Sequence, residues 1–178
     1  MKILSIGDSW LKVVAGGGTP WPDIIGADNQ GISGSTAAEW AADRDGRLTK
    51  AKNTEADAVI ISLMGNDARH AVADGVVTTD EIMEALRNMR TVIEAVLRPL
   101  TIVLLYADPF CGDDRQAKLG VPLLNGAIKF ACNNMPVVFL DTSRFLVREH
   151  FDGDDIHPNQ LGHELIADET ETLIKGLL

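Results

Sequence analysis

Asp154 stands three positions before His157 in the run Asp154-Asp155-Ile156-His157-Pro158-Asn159 near one end of the chain, and Gly7-Asp8-Ser9 stands near the other. A carboxylate at that spacing can hydrogen-bond one imidazole nitrogen within a single tight turn. That bond fixes the tautomer and leaves the second nitrogen free to take a proton from a hydroxyl. Ser9 is the hydroxyl such a pair calls for, and the chemistry would be nucleophilic attack on a carbonyl. Asp155 and Asp152 compete for the orienting role, but the three-residue spacing favours Asp154, since adjacent or near-adjacent residues tend to point apart in a turn. The plainer reading of Asp8 and Ser9 is that they cap the next helix.

A serine just after a buried strand also presents its backbone N–H where developing negative charge is favoured. Gly65-Asn66-Asp67 comes after another apolar run in the same way. There the Asn66 amide can donate to an oxyanion, or the residues can form an ordinary asparagine turn. Gly34 would add only its backbone N–H, open to a substrate oxygen because it carries no β-carbon. Asp67 and Asp8 read as supports that bond neighbouring backbone. Trp10, beside the nucleophile, and His70, four residues past Asn66, are the candidates for touching substrate. Trp21 and Trp40 read as packing residues, His163 as a packing or capping residue of the last helix, and His150 as structural.

These residues need a frame, and the hydrophobic pattern supplies one. Lys2 to Ile6 is a short apolar run that stops at Gly7, as a buried parallel strand would. Similar runs recur at Ala58 to Met64, Thr101 to Tyr106 and Val137 to Leu140, separated by segments of helical period. Asn29 to Gly34 is a candidate edge strand running into a turn, and Ser35 or Thr36 would cap a short helix to about Ala42. A long helix is expected from Thr78, capped by its own hydroxyl and Glu81, with Ile82, Leu86, Met89, Ile93 and Leu97 as its apolar stripe and Pro99 as its stop. Another is expected over Ala117 to Asn134, its start delayed by Pro122 to Val121 or later, with Leu119, Leu123, Leu124, Ile128 and Phe130 apolar. The last runs from Asn159 or Gln160 to Leu177, with Leu161, Leu165, Ile166, Leu173 and Ile174 holding the histidine loop to the sheet. This is βαβ alternation, and in such sheets chemistry gathers beyond the carboxyl ends of the strands, where strand order reverses.

With 178 residues, 46% hydrophobic and 24% charged, the chain is expected to form a single domain over residues 1–178. Its formal charge of −10 argues against a sequence-independent grip on nucleic acid or an anionic membrane. No apolar run approaches the roughly 18 to 20 residues of a membrane span. Ser9 lies too near Met1 for a secretory leader, so the expected location is cytoplasmic. Cys111 and Cys132 have no CxxC spacing, and no histidine cluster suggests zinc, so neither a metal nor another cofactor is expected.

In their order along the chain, Gly7-Asp8-Ser9, Gly31-Ile32-Ser33-Gly34, Gly65-Asn66-Asp67 and Asp154-Asp155-Ile156-His157-Pro158-Asn159 resemble the four blocks of the SGNH hydrolases, the GDSL-type esterases and lipases. Trp21-Pro22 and Leu161-Gly162-His163 extend the likeness over nearly the whole chain. It departs from the family pattern at Trp10, where many relatives carry an aliphatic residue, and over Leu11 to Thr19. The resemblance implies a three-layer α/β/α sandwich around a mostly five-stranded parallel sheet of flavodoxin-like type. It implies Ser9 as nucleophile, His157 as base and then acid, Asp154 as orienting carboxylate, and an oxyanion hole from the Ser9 and Gly34 N–H groups with the Asn66 side chain. The expected activity is serine ester hydrolysis through an acyl-enzyme on a small-molecule or carbohydrate ester, with short acyl groups such as acetyl favoured. A thioesterase or lysophospholipase of the same family is the alternative, and an inactive binding or structural module of the same fold is the alternative from another class.

Overall fold

A computed structural model describes residues 1–68, 79–107, 115–151 and 156–178, with backbone alone for residue 79 and residues 115–121. Five strands form one parallel sheet: β1 (Ile3–Gly7), β2 (Asp28–Asn29), β3 (Ala58–Ser62), β4 (Leu100–Leu105) and β5 (Val138–Asp141), in the order β2-β1-β3-β4-β5. The central strands β1, β3 and β4 are covered on both faces, which is why they read as unbroken apolar runs rather than alternating ones.

The helices are α1 (Trp21–Ile24), α2 (Ala37–Ala42), α3 (Arg47–Asn53), α4 (Thr79–Val96), α5 (Arg115–Ala131) and α6 (Gln160–Leu177), and residues 65–68 form a further helical turn. The chain leaves β1 toward β2 at one edge, then turns back across the sheet to β3, β4 and β5. Right-handed crossovers therefore put α1 on one face and α2 to α5 on the other. The packing agrees: α2 and α3 pack on α4, α4 packs on α5, and α6 returns to α1. No helix among the described residues is long and apolar enough to cross a membrane.

The direction reverses between β1 and β3, whose connections leave toward opposite faces. A crevice opens at their carboxyl ends. In the register Gly7 pairs with Ser62, so both strands end level and the turns after them leave side by side.

Several elements differ from the sequence reading. β2 is only Asp28–Asn29; the chain still tracks β1 through Gln30 N–H to Ser5 O (2.9 Å) and Ile32 N–H to Gly7 O (2.8 Å), and then swings away at Gly34, whose φ is +80°. α5 runs through Pro122 rather than starting beside it. The proline is exposed, so the carbonyl it leaves without a donor can meet water. On the same helix Leu124 and Ile128 are buried as expected, but Leu123 and Phe130 are 75% and 62% exposed. On α4 the buried stripe is Leu86, Met89, Val92, Ile93 and Val96, whereas Ile82 and Leu97, expected in it, are exposed. Thr78, the expected cap, lies outside the described residues. Thr36 does cap α2, in a reciprocal box with Glu39.

Candidate active site

Gly7 ends β1 because nothing larger fits. Its φ is +148°, and a Cβ there would sit 1.9 Å from the Ser62 carbonyl oxygen. The chain turns at once into a 3₁₀ turn, Ser9–Leu11, capped by the Asp8 carboxylate, which accepts from Trp10 N–H at 3.1 Å. The capping role foreseen for Asp8 is thus real, and it is compatible with chemistry at the next residue. Ser9 is 8% exposed, and its Oγ lies 2.8 Å from Nε2 of His157, across 148 residues of sequence.

His157 is anchored by the start of α6, immediately after it in the chain. Asn159 caps α6, accepting from Gly162 N–H at 3.0 Å, while its own N–H and its side-chain amide donate to the carbonyls of His150 (2.9 Å) and Glu149 (2.8 Å). The loop after Ser9 then closes on this segment. Ala15 N–H donates to Pro158 O at 2.9 Å, and Thr19 N–H donates to Gln160 Oε1 at 2.8 Å. Fully buried His163 completes the clasp: its Nδ1 accepts from Trp21 N–H (3.1 Å) and its Nε2 donates to Val13 O (2.9 Å). That pattern requires the neutral ring with its proton on Nε2, and burial lowers the His163 pKa accordingly. The glycine-containing stretch Leu11 to Thr19, which departs from the family pattern, therefore seats the Ser9 turn against the histidine loop.

The third wall comes from β3 and the glycine segment. Ser35 is buried; its hydroxyl donates to Gly7 O (3.1 Å) and accepts from the Trp40 indole N–H (3.0 Å), and its carbonyl accepts one amide hydrogen of Asn66 (3.0 Å). The other Asn66 amide hydrogen is not used in that bond. Asp67 accepts from Ala37 N–H (2.9 Å), tying the same turn to the start of α2. The turn is entered through Met64, a non-glycine residue at φ +91°, a conformation that costs on the order of 1 to 3 kcal/mol and persists only when its surroundings enforce it. Among the described residues, neither Ser9 N–H nor Gly34 N–H has a hydrogen-bond acceptor.

Behind Ser9, the buried Asp8 carboxylate receives a 2.5 Å hydrogen bond from the Tyr106 hydroxyl, and Ser62 Oγ lies within 3.4 Å of Asp8 and 3.3 Å of Tyr106. Burial pushes the Asp8 pKa up to about 6, although the hydrogen bonds from Tyr106 and Trp10 pull it down.

A family model described as the GDSL-like Lipase/Acylhydrolase family matches residues 5–165. The chain belongs to this family. Among solved structures, it is similar to Axe2, an acetylxylan esterase from Geobacillus stearothermophilus, at 18% identity over 96% of this chain and 92% of that one, with a TM-score of 0.73. It is also similar to LAE5, an alpha/beta hydrolase enzyme from the metagenome of Lake Arreo, Spain, at 18% identity over 96% and 93% of the two chains, with a TM-score of 0.68. Structures of Axe2 include catalytic mutants in which a serine, an aspartate or a histidine is replaced by alanine, the aspartate three positions before the histidine. No curated protein sequence matches the chain.

As a GDSL-like acylhydrolase, the protein is a carboxylic ester hydrolase, and its sheet and helices are those expected of the SGNH fold. Of the residues singled out in the sequence, Ser9, Gly34, Asn66 and His157 lie on segments joined by the bonds above. Asp154, its rivals Asp152 and Asp155, His70 and Cys111 lie outside the described residues. Trp10 is 4% exposed, its ring perpendicular to that of Tyr106 at 4.9 Å between ring centres and tilted against Phe151 at 6.1 Å. Trp21 and Trp40 are fully buried, as their packing role requires. Buried Cys132 has its thiol pKa pushed up to about 11, away from reactivity. No group of three or more potential metal ligands occurs among the described residues.

Sequence reasoning missed Tyr106, Ser62 and the hydroxyl role of Ser35. One signal was available. Tyr106 is the only tyrosine in the chain and follows the apolar run Ile102 to Leu105, where a buried hydroxyl must find a partner.

Proposed function

We propose that the protein hydrolyses short acyl esters through a covalent intermediate on Ser9. Ser9 Oγ attacks the ester carbonyl while His157 Nε2 takes its proton; the tetrahedral adduct collapses, and the protonated imidazole gives that proton to the departing alcohol. Water, deprotonated by the same nitrogen, then attacks the acyl-serine and releases the acid and free Ser9. Asp154 orients the imidazole, and the Ser9 and Gly34 N–H groups with the free Asn66 amide hydrogen receive the oxyanion. Removing one such donor typically costs on the order of 10² to 10³ in turnover.

The observation that carries this reading is the 2.8 Å contact between Ser9 Oγ and His157 Nε2. The two unaccepted N–H groups support it, as does the serine, aspartate and histidine set of the Axe2 catalytic mutants. We further propose an acetyl-type ester on a carbohydrate as the substrate class, supported by the similarity to Axe2 across 96% of the chain.

The test is a panel of p-nitrophenyl esters and acetylated oligosaccharides of rising acyl length, run with Ser9→Ala alongside. Acetyl should give the highest kcat/KM, and Ser9→Ala should lose on the order of 10⁴ or more. A Ser9→Ala variant with full activity would remove the serine from the mechanism, and a preference for long acyl chains or thioesters would remove the substrate assignment.

A further inference from the structure

Tyr106 touches both halves of the proposed oxyanion site without facing it. Its hydroxyl donates to Asp8 Oδ2 at 2.5 Å and accepts, at 3.4 Å, from Gly65 N–H. Asp8 is the residue before Ser9, and Gly65 is the residue before Asn66. Each bonded group therefore lies one residue from a proposed oxyanion donor, one on the turn after β1 and the other on the turn after β3. Ser62, at the end of β3, lies between them at 3.3 Å from the same oxygen.

The hydroxyl is itself firmly placed. Both backbone groups of Tyr106 are paired by the Asn125 side chain on α5: Tyr106 N–H donates to Oδ1 (2.9 Å), and its carbonyl accepts from Nδ2 (2.8 Å). The ring packs edge-on against Trp10, and burial together with the nearby Asp8 carboxylate pushes the phenol pKa well up, so it remains a donor. The turn that it steadies starts from the costly backbone of Met64 at φ +91° and would relax without restraint.

We propose that Tyr106 is a positioning residue of the ester hydrolysis, its hydroxyl clamping the nucleophile turn to the asparagine turn so that the Ser9 N–H and the Asn66 amide hold a common focus. This rests on the Ser9 reading above. Tyr106 is only 3% exposed, so the clamp acts through neighbouring backbone rather than by touching substrate. Its loss should appear in the transition state and not in ground-state binding. Misplacement of reacting groups by about 1 Å can cost on the order of 10² in rate.

The experiment measures kcat and KM on p-nitrophenyl acetate for Tyr106→Phe, Asn125→Ala, Val103→Ala and Ser9→Ala, with thermal melting of each. Tyr106→Phe should lower kcat about 10- to 100-fold with KM within about threefold. Asn125→Ala keeps the hydroxyl but frees its backbone, and should lower kcat about threefold; it carries the test if Tyr106→Phe does not fold. Val103→Ala thins the core of the same strand, so its melting temperature should fall while kcat stays within about twofold. The clamp is overturned if Tyr106→Phe matches Val103→Ala in kcat, if its loss lies in KM alone, or, where Tyr106→Phe fails to fold, if Asn125→Ala keeps full kcat. An inactive Ser9→Ala beside an unimpaired Tyr106→Phe removes the clamp alone, whereas an active Ser9→Ala removes the serine mechanism and the clamp with it.

Discussion

Two buried ionisable side chains support the candidate site from opposite sides, and they are made tolerable in different ways. Asp8, behind Ser9, collects hydrogen bonds from Trp10 N–H and the Tyr106 hydroxyl, yet burial still pushes its pKa up to about 6. His163, under the histidine loop, serves as donor on one nitrogen and acceptor on the other, so its neutral form is fully satisfied and its pKa falls. The carboxylate is a costly group placed where two strand ends meet. The imidazole is an inexpensive one placed where two loops meet. A group that accepts on all sides can draw together N–H and O–H donors from several elements, as at the ends of β1, β3 and β4. A group that both donates and accepts can bridge two chains of peptide, as between Val13 and Trp21.

This difference gives opposite pH signs. The folded pKa of Asp8 lies above its ordinary value of 3.8, so the folded protein holds that proton more tightly. Its contribution is fully present below 3.8 and is lost as pH rises through about 6. The shift corresponds to about 3 kcal/mol. Asp8→Asn keeps the shape and removes the charge. In urea titrations, wild type should therefore lose about 2 kcal/mol relative to Asp8→Asn between pH 4 and 7; parallel stability curves would show that the carboxylate carries no such cost.

His163 runs the other way. Its folded pKa lies below the ordinary 6.5, so its contribution is fully present above 6.5 and is lost as pH falls through the folded value. His163→Ala leaves Trp21 N–H without an acceptor and Val13 O without a donor, and should cost about 2 kcal/mol at pH 7.5 by denaturant titration. The difference from wild type should shrink in acid. A difference that stays constant from pH 5 to 8 would mean that the clasp does not depend on the neutral ring.

The legible parts of this protein are those whose physics is local. β1, β3 and β4 announce themselves as apolar runs because both faces of each are covered, and α2 announces itself through a cap at Ser35 or Thr36, of which Thr36 forms it with Glu39. Among the described residues, the Ser9 block similarly follows the end of β1, and Asn159 of the histidine block caps α6. β2 is shorter than its sequence suggests because the edge pairing gives way to single hydrogen bonds before Gly34, and α5 starts earlier than its proline suggests because an exposed proline can be accommodated inside a helix. The packing of Trp10 against Tyr106 and Phe151 is not legible, because both partners are far away along the chain. The Asp8, Ser62 and Tyr106 cluster is invisible in the sequence for the same reason: it exists only once three strands are in register.

The central claim is that Ser9, served by His157, is the residue that attacks the ester. A fluorophosphonate probe, combined with peptide mapping, tests it most directly, because the phosphonylated serine is stable where an acyl-serine turns over. A single adduct on Ser9 is expected, formed in step with loss of esterase activity, absent in Ser9→Ala and strongly slowed in His157→Ala. Activity that survives full labelling of Ser9, or inactivation that tracks an adduct on any other residue, would contradict it.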